Sequence, residues 1–303
     1  MDQKSQSETI TSRVKIDPHL RLDHVVGQPE AVAQLRDLVK RIKWPGVYQS
    51  WGVTKPKAIA LVGPPGVGKT FTIRALANEV DCPLLELKYE DVATHLYDEA
   101  IRRLALFKAQ AEALAEEYGH VLISIDEAEV FFRSRFDVNT HNSDEKKTNF
   151  FLRWIDGDLE GTDGFTILAA SNAWEIIDPA MRRAGRFTKI EFKALSPKDV
   201  LAALCIHMDL AEKKTSRKMF DRTQMDTLLN RLPEYTGADV KEIIDLALLN
   251  KANEHLDSLL SIESSDIIEL SDLNIGLISA TDIASVLSTY NKADKPSKKG
   301  VGF

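Results

Sequence analysis

Apolar residues recur at helical spacing from Gln28 to Ile42 (Val32, Leu35, Leu38, Val39, Ile42), and Trp44-Pro45-Gly46 predicts where that helix stops. Ala58 to Val62 is instead an unbroken apolar run ending in glycines and prolines, as a buried strand does. The alternation continues. A helix is predicted over Lys69–Val80, a strand over Pro83–Leu87, and a long helix from about Asp98 to Glu117, ended by Gly119 before the apolar strand Val121–Ile125. Residues 133–147 are polar and read as an exposed loop. A helix from about Lys147 to Leu159, the strand Phe165 to Ala170 and an alternating strand Lys189–Phe192 follow. Strands separated by helices imply βαβ units and a mostly parallel sheet. After Ser196-Pro197 the pattern is helical only, at about 198–210, 224–232, 237–256 and 280–290.

On pattern alone the chain divides into four parts. Residues 1–20, polar and without period, read as a mobile arm; 21–195 form an α/β domain; 196–291 form a smaller helical domain; and 292–303, Lys- and Gly-containing, read as a disordered tail. A length of 303 residues is enough for one large or two unequal domains. With 44% hydrophobic and 28% charged residues the composition is that of an ordinary globular protein. The formal net charge of -7 matters more, because gripping a phosphate backbone draws on a basic excess; nucleic acid is demoted as a main partner. Two distant cysteines, Cys82 and Cys205, supply no zinc pattern and read as reduced thiols. No stretch reaches the roughly 18 apolar residues of a membrane span, and the N-terminus lacks an apolar leader, so a cytoplasmic protein without a membrane partner is expected.

The candidate chemistry is concentrated at strand ends. Gly63-Pro64-Pro65-Gly66-Val67-Gly68-Lys69-Thr70 fits G-x-x-x-x-G-K-[ST] and lies between a predicted strand and a predicted helix, the context this phosphate loop requires. Its glycines let backbone N–H groups turn toward an anion, and the helix N-terminus favours negative charge. Lys69 is expected at the β- and γ-phosphates of ATP, and Thr70 Oγ on Mg²⁺. Val121-Leu122-Ile123-Ser124-Ile125-Asp126-Glu127 is an apolar strand tipped by two acids. Asp126 is the expected second metal ligand and Glu127 the base that activates water. Glu129 lies nearby and is assigned no chemistry. Asn172, after Ala169-Ala170-Ser171, places an amide at a third strand tip, and Arg182, Arg183 and Arg186 cluster near Gly185.

The order of phosphate loop, acid-tipped strand, Asn-tipped strand and arginine cluster resembles the AAA family of ATPases over about residues 22 to 290. The resemblance implies a P-loop NTPase α/β domain with flanking helices, followed by a small all-α lid. It further implies that Asp23, Val26 and Gly27 flank adenine and that Phe71 continues the ATP-binding segment. Asn172 corresponds to the family's first sensor. Arg183 and Arg186 correspond to arginine fingers acting on the neighbouring subunit's ATP, and His207, Gly237 and Ala238 to lid contacts with the nucleotide. Family members assemble as rings, usually hexamers, and many pull a polypeptide through the pore with an aromatic-aliphatic-glycine loop. The equivalent positions here are His95, Leu96 and Tyr97, a departure at the first and third; Arg133–Asn142 would be a second pore loop.

Only a short arm precedes the core and no protease or nuclease domain follows, so a client is expected to meet the ring directly or through a partner. Single-ring remodellers of this architecture include ATPases that open HORMA-domain proteins, among them bacterial ones in antiviral defence operons. No residue here is specific to such clients. The leading expectation is therefore an ATP-driven protein remodeller or unfoldase. The alternatives are a nucleic-acid-associated ATPase (a loader or transposition regulator) and a slow nucleotide-dependent assembly scaffold, against which Glu127 argues.

Overall fold

Five of the apolar runs become the five strands of one parallel sheet. The computed structural model describes residues 13–92, 97–133, 142–157, 164–232, 235–260 and 276–290. The chain divides into two compact units, Met1–Ala194 and Leu195–Phe303. In the first unit the order is α1 (Pro29–Lys43), α2 (Pro45–Gln49), β1 (Ala58–Val62), α3 (Lys69–Val80), β2 (Leu84–Leu87), α4 (Tyr89–Val92) and α5 (Tyr97–Tyr118). It continues with β3 (Val121–Ile125), α6 (Ala128–Phe131), α7 (Asn142–Asp156), β4 (Phe165–Ser171) and β5 (Phe187–Glu191). The second unit holds α8 (Pro197–Thr215), a 3₁₀ turn over Met225–Arg231, α9 (Gly237–Leu260) and α10 (Ala280–Thr289).

The strand order β2-β3-β4-β1-β5 decides where chemistry can occur. Strand β4 lies between β1 and β3, with Val62 opposite Ser171 and Ile125 opposite Ala169. The residue that follows β4 therefore falls between the loop leaving β1 and the acids leaving β3. All seven residues of β4 are buried, as expected of a central strand covered on both faces. Edge strand β5 instead buries only Phe187 and Ile190 and exposes Thr188, Lys189 and Glu191. One face of the sheet is covered by Leu104, Phe107 and Ala111 of α5 and by Phe151, Trp154 and Ile155 of α7. Ring pairs run through this layer, including Phe132–Phe151 at 5.1 Å and Trp154–Phe165 at 5.0 Å between centroids.

Several expectations change. Residues 13–20 are not a mobile arm: Val14 N donates to Leu84 O at 3.0 Å, and Asn78 Nδ2 donates to the carbonyls of Asp17 and Leu20. Arg13 lies over the Tyr118 ring at 5.0 Å, so the segment covers the open edge of β2. The segment shows no helical or strand period, and the attachment is made by backbone groups and by side chains distant in sequence, so the linear pattern did not show it. The helix expected from Lys147 begins at Asn142, since its first turn is polar and carries no apolar period. Pro45 does stop α1, but it also opens the five-residue α2. Residues 225–231 form a 3₁₀ turn rather than an α-helix. Residues 1–12 and 291–303 lie outside the described residues.

Both cysteines are free, and burial pushes the Cys82 thiol up to about 12. His120 lies at the opposite end of the sheet from the candidate site, with 4% of its surface exposed. Its Nδ1 is 3.2 Å from Lys55 Nζ and its Nε2 is 3.2 Å from Thr166 Oγ1. Burial first, and then the Lys55 charge, lower its pKa to about 3. Because the folded value lies below the unfolded one, near 6.5, the unfolded chain takes up a proton that the folded chain refuses. Stability is thus lost as pH falls from about 6.5 toward 3, by at most roughly 1.4 kcal/mol per pH unit from this residue. Urea midpoints of wild type and His120→Gln should converge as pH is lowered from 7 to 4. Parallel curves would show that His120 is not held neutral.

Candidate nucleotide-binding site

The loop leaving β1 is shaped by its glycines. A Cβ on Gly63 would sit 2.3 Å from Phe192 O, so only glycine lets β1 exit beside the end of β5. Gly66 and Gly68 have φ of 76° and 93°, which turns the chain back on itself before α3. Val67 is buried and anchors the loop, while Pro64 and Pro65 are exposed. Thr72 Oγ1 donates to Gly68 O at 2.8 Å and fixes the helix start.

Lys69, the first residue of α3, is only 7% exposed. Its Nζ donates to Gly63 O and Pro64 O at 2.7 Å each and to Asn172 Oδ1 at 2.8 Å. Burial lowers its pKa, and the charges of Glu129 and Asp126 oppose that shift. Thr70 Oγ1 donates to Asp126 Oδ2 at 3.1 Å, which brings two hard oxygen donors together at the edge of the loop. A donor pair of this kind suits Mg²⁺, which takes one or two protein oxygens and completes its shell from phosphate and water. Among the described residues no group of three or more His, Cys, Asp or Glu is arranged to hold a metal without such help.

Glu127 occupies a left-handed conformation (φ 51°, ψ 49°), and its N–H donates to Asp126 Oδ1 at 2.9 Å. Both acids are exposed at the carboxyl edge of the sheet. Asn172 follows β4 at that edge. Its backbone N–H donates to the Glu129 carboxylate at 3.3 and 3.4 Å, and its Nδ2 donates to Glu129 Oε1 at 3.4 Å. Glu129 is the residue that sequence reasoning passed over: its spacing two residues after Glu127 carries no distinctive signal, and only the fold brings it to Asn172.

The arginine segment is anchored by buried Asp178, whose Oδ1 accepts from Ala180 N at 2.7 Å. Its three arginines differ. Arg182 donates to Ile177 O and pairs with Glu175 at 2.9 Å. Arg186 makes a two-pronged pair with Asp156 at 3.1 and 2.7 Å and donates to Ala180 O at 2.7 Å. The Arg183 side chain is exposed and makes no hydrogen bond or ion pair with a described residue.

The remaining candidates are more scattered. The turn Leu22–His24 packs on α3; within it Asp23 pairs with Arg36, while Val26 is half-buried and Gly27 has φ of 71°. Phe71 is half-buried in the first turn of α3. His207 lies within α8, and Gly237 and Ala238 open α9, where Thr236 and Asp239 cap the helix reciprocally. These three belong to the second unit. His95 and Leu96 fall outside the described residues, and Tyr97 is the first residue of α5.

A glycine-rich loop whose lysine reaches the tip of the neighbouring strand, with an acid-tipped strand one further along, makes this a P-loop NTPase. Comparison with known proteins narrows the class. The family described as "ATPase family associated with various cellular activities (AAA)" matches residues 59–195. The chain belongs to the AAA family and is an ATPase. It is 30% identical over 237 residues (78% of this chain, 37% of the relative) to an ATP-dependent zinc metalloprotease FtsH of Thermotoga maritima. It is 32% identical over 228 residues (74% and 33%) to FtsH 1 of Petrotoga mobilis, and 29% over 243 residues (79% and 30%) to Protein SAV of Sulfolobus acidocaldarius. The chain thus spans well under half the length of these relatives. No helix among the described residues is long and apolar enough to cross a membrane.

The left-handed backbone of Glu127 costs a non-glycine residue about 1 kcal/mol. Glu127→Gly should therefore raise the melting temperature by roughly 2–4 °C, whereas Glu127→Ala should bring no such gain. Equal melting temperatures for the two variants would show that the backbone there is unstrained.

Proposed function

We propose that this ATPase works as a ring, usually a hexamer in its family, and couples ATP hydrolysis to remodelling or unfolding a client protein. One observation carries the ring: Arg183 is exposed and pairs with no described residue of its own protomer, while the loop, acids and amide of an ATP site are assembled elsewhere on the same chain. In this reading Lys69 leaves its carbonyl partners for the β- and γ-phosphates, and the loop N–H groups hold the remaining oxygens. Mg²⁺, held by Thr70 Oγ1 and Asp126, would neutralise charge on the β- and γ-oxygens. Glu127 takes the proton of the attacking water, Asn172 orients that water, and the γ-phosphoryl group leaves as phosphate with ADP as the other product. Arg183 of one protomer completes its neighbour's site. Arg186 must first exchange its Asp156 pair for phosphate, so it is the slower of the two to engage.

Asp23, Val26 and Gly27 of the first unit are proposed to contact the nucleotide; His207, Gly237 and Ala238 of the second unit are proposed nucleotide contacts as well. His95, Leu96 and Tyr97 are proposed to grip the client at the pore. Relatives named as ATP-dependent proteases support protein, rather than nucleic acid, as the material acted on, as does the net charge of -7. We further propose a HORMA-domain protein of a bacterial defence system as the client.

Arg183→Ala should bind ATP within about threefold of wild type while turnover falls on the order of 10³-fold. Mixing it with Lys69→Ala, which supplies arginines but no phosphate loop, should restore part of the turnover. A fully active monomer, or mixtures no better than their components, would remove the ring. For the client, Glu127→Gln purified from its host with ATP should retain one recurrent protein; turnover stimulated by DNA alone at physiological salt would favour the loader reading instead.

A further inference from the structure

We propose that Glu129 is a positioning residue for hydrolysis, acting through Asn172 rather than on ATP; the proposal rests on the reading of Asn172 as the amide that orients the attacking water. Three strand tips are joined by one chain of polar contacts. Lys69, after β1, donates to Asn172 Oδ1 at 2.8 Å. Asn172, after β4, donates through its backbone N–H and its Nδ2 to the carboxylate of Glu129, in the α6 turn after β3, at 3.3 to 3.4 Å.

The logic of donors and acceptors follows from the groups themselves. A carboxylate only accepts and an ammonium only donates, so an amide held between them has one orientation: NH₂ toward Glu129 and carbonyl oxygen toward the loop. Both contacts fix that orientation while the loop is empty of phosphate. Once Lys69 turns to the β- and γ-phosphates, its hold on Oδ1 weakens, and Glu129 becomes the remaining anchor of the amide. The backbone contact anchors the end of β4 as well, so the strand tip and the amide are set together. The Glu129 charge is also the strongest influence opposing the burial that lowers the Lys69 pKa. Its own reach is limited: it is half-buried behind Asn172, whereas Glu127 and Asp126 are exposed at the sheet edge.

A residue that acts through Asn172 has a distinct signature. Glu129→Gln should lower kcat at least tenfold and change KM for ATP by less than threefold. Asn172→Ala should behave alike, and the double variant should be no slower than Asn172→Ala alone, because removing the amide leaves Glu129 nothing to orient. Glu129→Ala, which removes the acceptor without adding an amide, should give the same non-additive pattern, with each variant's melting curve confirming the fold. Losses that multiply in the double variant, or a Glu129→Gln kcat within twofold of wild type, would overturn the proposal. Glu127→Gln run in parallel separates this from the underlying mechanism. If Glu127→Gln hydrolyses normally while Glu129→Gln is dead, Glu129 is itself the base and the positioning role is wrong.

Discussion

A buried ammonium holds this site together. Lys69 is taken almost wholly out of water, a costly environment for a charge unless it is fully hydrogen-bonded. Its three donors are met by Gly63 O, Pro64 O and Asn172 Oδ1, and the charges of Glu129 and Asp126 stand behind them. The loop is thus closed around the group that phosphate must later attract. The same contacts tie the exit of β1 to the exit of β4, so loop shape and sheet order depend on each other. Gly63 shows how tight that dependence is: the path of β5 leaves no room there even for a methyl group.

The acids and the arginines are mounted on one apolar body although they are proposed to serve different nucleotides. Phe131 and Phe132 end α6, which begins directly after Glu127. Phe132 packs on Phe151 and lies 5.8 Å from Phe187, the residue next to Arg186. The backbone repeats the link, with Asp178 N donating to Phe132 O at 2.7 Å and Arg133 bridged to Ile177. Close-packed aromatic rings transmit small displacements because they cannot compress. The acid-pair helix and the arginine segment are thus packed on one shared aromatic layer.

That segment also sorts its own charges. Two guanidinium groups are occupied at home, Arg182 by Glu175 and Arg186 by Asp156, and this leaves Arg183 as the exposed cation. Bidentate pairing keeps Arg186 in a defined place without spending its charge permanently, since phosphate competes well for the same planar donors.

Much of this was legible in the linear pattern. A strand–glycine loop–helix signature has only one common physical use, and an apolar strand ending in Asp126-Glu127 delivers carboxylates to the binding edge whatever the rest of the fold does. Local rules sufficed there because each motif carries its own geometry. What the chain order concealed was adjacency. That β4 lies between β1 and β3, that Glu129 meets Asn172, that Arg186 finds Asp156 thirty residues away, and that Arg13 and Val14 close the edge of β2 are all products of strand order and packing. Periodicity records which face of an element is apolar. Which side chains meet is decided only when sheet order and helix packing bring distant residues within hydrogen-bonding range.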